Sequence, residues 1–395
     1  MRRLASALLA IACLHEASGQ SRAPTIDVSG QITYLPDGVK VAGRKFTWKQ
    51  IRSLEDSAPS ADALAAELQA RLQKRADTVP AHLQLGEWAR GCGLDDAAQA
   101  EFEAALALDP ENTQARKALG WVKVAGAWTR AEDVCAEKLR ALSGDATAQK
   151  LEIAAWCGDN GDPRDEWKLL VEVAVADPWN ARMIALLKPI VEQKEPHTVL
   201  LPPIAGTWRA EVDKTRHHQA KAFAFEAIDF RKVDEKGKTF RGTGQQLEDY
   251  YGFDSVIRAA ADGIVSQVED QYPDLPPGVG GKFDEANYIG IEHTPKESTD
   301  YGHIRQGSAL VHVGDVVKAG QPIARVGNSG ASGIPHLHFT LDTPVFDGSG
   351  NGEWIGIPWR FSAFRVLEAG GAACDFQVKL ARVQEGWLMQ FPEHE

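Results

Sequence analysis

Two periodicities divide the chain. From about Leu54 to about Gln193, apolar residues recur at helical spacing in a composition of Ala, Leu, Glu and Gln, which predicts a helical region over residues 54–193. Beyond it, Gly, Val, aromatic residues and turn signals follow at short intervals, predicting an all-β domain over residues 208–395. Between them, Pro196, Pro202 and Pro203 interrupt the helical period and mark a linker at residues 194–207. Residues 26–52 alternate β-branched and polar positions around Asp37-Gly38 and Ala42-Gly43, which predicts a small β element with a hairpin over residues 20–53. The first 19 residues have a basic start, an apolar run from Leu4 to Leu14 and small residues at Ala17 and Gly19, the pattern of a secretory signal cleaved after Gly19. Ala10-Ile11-Ala12-Cys13 also permits a lipoprotein reading with Cys13 as the lipidated N-terminus. Either way the pattern predicts an exported protein, periplasmic or extracellular, and no later stretch is apolar enough for a transmembrane span.

The helical region carries an internal echo. Asp109-Pro110-Glu111-Asn112 recurs as Asp177-Pro178-Trp179-Asn180, 68 residues later. That is twice the roughly 34-residue period of tetratricopeptide repeats. With Pro110 as the closing proline of such a unit, Leu85, Gly86, Ala98, Phe102 and Ala105 take its small and apolar packing positions. The stretch from Thr113 is a degenerate copy. A stack of this kind holds a partner or positions the next domain, so an envelope protein is the expected partner; a plain helical spacer is the alternative.

Length and charge bound the rest. The 395 residues suit two or three domains, and 44% hydrophobic content is that of a globular protein. A formal net charge of −12 excludes nucleic-acid binding through general electrostatic attraction. Cys92, Cys135, Cys157 and Cys374 remain after the signal; they form no CxxC pattern, and their pairing is open.

The chemistry gathers near the C-terminus. His336-Leu337-His338, followed by Phe339, Thr340 and Leu341 and preceded by a Gly/Ser/Pro run, reads as a strand entered from a turn. In a strand, i and i+2 share a face, so both imidazoles point one way. Two such rings suit a zinc ligand beside a proton carrier. Earlier, AFAFEAIDF places Phe223, Phe225, Ala227 and Asp229 on one predicted strand face. An acid ending an apolar face is costly to bury without compensation, and a divalent metal is a strong one.

The order of motifs resembles the lysostaphin-type (LytM-like) zinc metalloendopeptidases of bacterial cell walls. The counterparts are AAADGIV at 259–265, YGHI at 301–304, VHVGDVVKAGQPIARVGNSG at 311–330 and PHLHF at 335–339. The resemblance covers about residues 205–365 and implies a β barrel-sandwich of the duplicated hybrid type. It further implies a Zn2+ cofactor held by His218, Asp229 and His338, with His303 and His336 as the catalytic histidines that do not bind metal. His217 stays open as the alternative to His218, because the family's His and Asp commonly lie four apart and here the separation is longer. His293 and His312 receive no role. The implied substrate is the peptide of peptidoglycan.

Three functions follow as expectations. The first is an exported zinc endopeptidase cutting peptide cross-links of peptidoglycan. The second is a catalytically silent domain of the same fold, acting as a wall-binding module or an activator of another hydrolase. The third, a lipoyl-type carrier suggested by the 308–330 hairpin, lacks the Met-flanked lysine turn and does not explain the two-histidine strand. Which peptide bond is cut depends on loops such as 231–252 and 266–286.

Overall fold

The computed structural model describes residues 32–41, 43–51, 53–55, 61–142, 146–194, 196–212, 222–347, 349–381 and 383–392. The predicted leader, Cys13, His217 and His218 lie outside them. The chain divides into two compact units, Ala58–Gln193 with Val345–Glu353, and Lys194–Pro344 with Trp354–Glu395 and the N-terminal strands.

The first unit contains helices α1 (Ala61–Lys74), α2 (Val79–Gly91), α3 (Asp95–Leu108), α4 (Thr113–Ala118), α5 (Ala131–Arg140), α6 (Thr147–Asp159), α7 (Pro163–Ala176) and α8 (Ala181–Val191). Each of α6 and α7 begins and ends 68 residues after α2 and α3, and α8 begins 68 residues after α4. The two Asp-Pro turns are built alike. Asn112 caps α4 by accepting from Ala115 N at 3.0 Å, and Asn180 caps α8 by accepting from Met183 N at 3.1 Å. Asp109 and Asp177 each accept from the amide of that asparagine, at 3.1 and 3.3 Å. In the first pair Phe102, fully buried, lies over Gly86, where a Cβ would come within 2.7 Å of its ring.

Helical spacing does not run unbroken through this unit. Trp121–Val124 and Ala127–Arg130 pair as an antiparallel hairpin between the two copies. Its turn residues Ala125 and Gly126 both have positive φ, the backbone that a tight two-residue hairpin turn requires. Of the cysteines whose pairing the sequence left open, Cys135 and Cys157 form a disulfide that ties α5 to α6.

In the second unit the strands run, in sheet order, Val316–Val317, Gly263–Glu269, Tyr288–Thr294, Glu297–Gly302, Leu337–Phe346, Ile228–Lys232, Gly206–Glu211, Leu388–Phe391, Phe361–Ala369, Ala372–Ala381 and Ser53–Glu55. Gly352–Gly356 pairs with Leu337–Phe346 off this path, and Val256–Arg258 with Pro322–Arg325 forms a separate ribbon. Among the described residues no sheet closes on itself. The expected barrel is therefore an open sheet, one edge of which is a strand of two residues, Val316–Val317.

One face of this sheet is the core. Phe230, Tyr301, Phe339 and Phe361 are fully buried there, with Phe339 edge-on to Trp359 at 5.1 Å between ring centres. Removing one such ring costs about 3–5 kcal/mol. The N-terminal strands form a three-stranded meander, Ile32–Leu35, Gly38–Val41 and Arg44–Thr47. Beyond it Trp48 stacks on Phe376, with centroids 5.9 Å apart. The proline-rich stretch is also stitched to the sheet, for the backbone amides of His197 and Thr198 donate to the buried Glu297 carboxylate at 2.7 and 2.8 Å.

Candidate metal centre and histidine pair

Strand register assembles the centre. Leu337–Phe346 lies between two antiparallel neighbours, so that His338 stands opposite Asp229 on one side and Gly302 on the other. Leu337, Phe339 and Leu341 point into the core, which sends His338 to the opposite face by the two-residue period. Gly302 is needed for space: a Cβ there would lie 3.2 Å from His338 Cβ and 3.4 Å from its ring.

Asp229 reaches this position by a different route from the one its sequence pattern predicted. Alternation over Phe223–Asp229 implied a single strand face, but the strand begins only at Ile228. Ala222–Ala224 form a 3-10 turn, and Glu226 has φ of 59°, which ends the alternation. The carbonyl of Glu226 accepts from Trp359 Nε1 at 3.0 Å, fixing the turn.

Four of the predicted residues converge. Asp229 is 3% exposed, and its Oδ1 lies 2.9 Å from His338 Nδ1 and 3.4 Å from His336 Nε2. The ring centres of His303 and His336 are 4.7 Å apart, and those of His303 and His338 are 5.9 Å apart. His293 and His312 stand elsewhere: His293 bridges the Asp262 carbonyl and Thr299 Oγ1, both at 2.8 Å, and His312 is exposed.

The hydrogen bonds assign the tautomers of the two remaining rings. His303 Nδ1 is 2.8 Å from the Ser329 carbonyl and His336 Nδ1 is 2.8 Å from the Ile334 carbonyl. A carbonyl only accepts, so each Nδ1 carries a proton, and Nε2 is the nitrogen left to face the centre. For His336 that nitrogen is the one facing Asp229. Burial first, and then the neighbouring His336 and His338 rings, hold His303 well below its ordinary pKa, which keeps it neutral. His303 also has φ of 59°, a left-handed backbone unusual outside glycine; its carbonyl accepts from Gly327 N at 2.9 Å. Opposite Asp229 on the neighbouring strand Gly206–Glu211, burial raises the Glu211 carboxyl, with Arg231 at 2.9 Å opposing the shift.

One turn supports both rings, and its residues carry roles the sequence reading did not assign. Ser329 supplies the carbonyl for His303, while its hydroxyl donates to Ile304 O at 3.1 Å. Ser332 Oγ lies 3.2 Å from His336 Nδ1 and donates to Asn328 Oδ1 at 2.6 Å. All three side chains are at most 1% exposed. Read as a Gly/Ser turn, the segment gave one usable signal, a run of small polar residues directly before the histidine strand.

The donor set suits zinc. Ligand atoms at about 2.0–2.2 Å from a tetrahedral ion stand roughly 3.3–3.6 Å from one another. Asp229 Oδ1 and His338 Nδ1 already face each other at 2.9 Å in a buried setting and need only open by a few tenths of an ångström. A carboxylate and a neutral imidazole are ordinary zinc donors.

One carboxylate and three imidazoles thus converge on one face of the sheet. Residues 244–351 match the model for Peptidase family M23, and this stretch is an M23 peptidase domain. It contains His303, His336 and His338; Asp229 lies ahead of it. The chain is 34% identical over 107 residues to the murein hydrolase activator EnvC of Escherichia coli, 27% of this chain and 24% of that protein. It is 28% identical over 185 residues to the peptidoglycan DD-endopeptidase ShyC of Vibrio cholerae, 44% of this chain and 39% of that protein. These matches thus span well under half the length of either relative. Among solved structures, a zinc-containing peptidase from Vibrio cholerae is similar at 22% identity with a TM-score of 0.21, covering 38% of this chain and 33% of that one.

Proposed function

We propose that the protein is an exported zinc-dependent endopeptidase that hydrolyses peptide cross-links of bacterial peptidoglycan. The observation that carries this reading is the shared focus of the four side chains: Asp229 Oδ1 and His338 Nδ1 face each other at 2.9 Å, His336 turns its Nε2 to the same carboxylate at 3.4 Å, and the His303 ring centre lies 4.7 Å from that of His336. His338 and Asp229 would hold the ion, with His218 or His217 as the third ligand. Zinc, when bound, supplies Lewis acidity and lowers the pKa of water towards about 7.

The chain's own residues do the rest. His336, its Nδ1 proton committed to Ile334, presents a base that can accept the proton of an attacking water. His303, oriented in the same way by Ser329, presents a second such base; once its Nε2 has accepted a proton, it can pass that proton to the leaving amine or donate it to the developing oxyanion. The disulfide Cys135–Cys157 supports export, since oxidising compartments preserve such bonds. The matching bounds of the helix pairs support a tetratricopeptide-like stack that holds an envelope partner. No described helix is long and apolar enough to cross a membrane.

A second reading, a silent domain that activates another hydrolase, is favoured by the likeness to the activator. The two separate on one experiment. The zinc-loaded protein, incubated with isolated cross-linked peptidoglycan, should release muropeptides and new amino groups, and His336→Gln should stop release while zinc stays near one per chain. Full zinc occupancy without release would leave the activator reading.

A further inference from the structure

The disulfide that ties α5 to α6 has carboxylates beside it. Cys135, Asp162 and Asp165 each offer a ligand atom within 4.8 Å of the other two, and Cys157 is bonded to the first of them. Both sulfurs are fully buried, and Asp162 is 5% exposed. Three helices meet here: Cys135 lies in α5, Cys157 in the last turn of α6, and Asp162 and Asp165 at the start of α7.

The turn between α6 and α7 fixes the buried carboxylate against the sulfurs. Asp162 N donates to Cys157 O at 2.8 Å, and Gly161, with φ of 88°, supplies the left-handed backbone that turns the chain back. Asp162 Oδ1 caps α7 by accepting from Asp165 N at 3.2 Å. The other oxygen, Oδ2, is buried and meets no hydrogen-bond donor among the described residues. Capping thus accounts for one oxygen of the two. A buried carboxylate oxygen left over in this way is costly unless a cation compensates it.

We infer that, with the disulfide reduced, Cys135, Cys157, Asp162 and Asp165 form a second metal site, a closed zinc site of two thiolates and two carboxylates. Thiolates suit zinc, whereas carboxylates alone suit magnesium or calcium. Donors about 2.0–2.3 Å from a tetrahedral ion stand roughly 3.3–3.8 Å apart, so the cluster has to close by about 1.5 Å at most. Breaking the S–S bond frees the two sulfurs to take that spacing.

The site and the disulfide exclude each other, because only a thiolate is a metal ligand. Oxidation requires a disulfide-bonded oxidant. One cysteine thiolate attacks it and displaces one of its sulfurs as a thiolate; the second cysteine thiolate then attacks the mixed disulfide and displaces the other. Two electrons pass to the oxidant, Cys135 and Cys157 are joined, and zinc is released from the two carboxylates that remain. The junction of α5, α6 and α7 is therefore held by zinc where thiols are kept reduced and by a covalent bond where they are oxidised. This site is independent of the peptidase reading.

The test compares the zinc content of the full chain, oxidised and after anaerobic reduction with a water-soluble phosphine, by metal analysis. The reduced chain should hold one zinc more than the oxidised chain, and cobalt(II) in its place should show thiolate-to-metal charge-transfer absorption. Asp162→Asn keeps the α7 cap, since asparagine caps as well as aspartate. It should weaken the additional zinc by more than about a hundredfold, beyond the range for losing an outer hydrogen bond to a ligand. Asp159→Asn, the same change of charge outside the cluster, should leave that zinc in place. Equal zinc in the oxidised and reduced chains would overturn the site. Additional zinc undiminished by Asp162→Asn would also overturn it, since that is the behaviour of thiols binding metal without the folded turn.

Discussion

The helical unit and the β unit place their decisive residues over very different distances. In the helices a support spans three positions, as where Asn112 caps Ala115 and Asn180 caps Met183. In the sheet, His338 meets an aspartate 109 positions earlier, and His303 leans on a carbonyl 26 positions later. A short-range device can be copied whenever its tetrapeptide is copied, and this unit holds two copies. A long-range centre exists once and depends on every strand between its parts. Chemistry and stability should therefore separate between the units.

The largest expected effect is at the centre. Asp229→Ala and His338→Ala should each reduce zinc, measured by metal analysis, from near one per chain to background, with the helices intact by circular dichroism. Zinc retained at full occupancy in either would break the ligand assignment. His303→Gln and His336→Gln should keep the metal and lower hydrolysis by roughly 10²- to 10⁴-fold. In the helical unit Phe102→Ala should cost about 3–5 kcal/mol of local stability, read by hydrogen exchange in α2 and α3, with zinc content unchanged; loss of zinc would show that the two units do not separate.

Smaller effects sharpen the contrast. Asn112→Ala and Asn180→Ala should each cost about 1 kcal/mol, and by similar amounts if the turns are equivalent. A comparable effect concerns Glu166, whose pKa is raised to about 7 by burial and by the nearby Asp159 charge. A carboxyl whose folded pKa exceeds its unfolded value binds more protons when folded, so stability is highest below about 4.5 and falls as pH rises through about 7. Because the group is partly exposed, the effect should be about 1 kcal/mol. Glu166→Gln should flatten the melting temperature of the helical unit between pH 5 and 8, and an unchanged slope would assign it elsewhere.

How much was legible follows the same division of distance. The His336–His338 strand was readable because a two-residue period fixes a shared face without knowledge of the partner strands. The helix pairs were readable through the repeated Asp-Pro turn. The Trp121–Arg130 hairpin was not, because the helical composition on both sides masked a turn made by Ala125 and Gly126. Asp229 was singled out from a strand face that starts too early, since the positive φ of Glu226, just before the strand begins at Ile228, leaves no trace in apolar alternation. The support from Asn328, Ser329 and Ser332 was hidden because hydrogen-bond direction belongs to the folded turn, and small polar residues serve exposed turns equally well.

The register that sets His338 between Asp229 and Gly302 also governs when the centre can exist. A slip of one position against either neighbour turns the imidazole to the wrong face or sets it against a residue with a side chain where Gly302 leaves room. A half-assembled sheet therefore holds scattered donors and no reactive focus. Completion of the strand register and assembly of the four side chains are therefore one event.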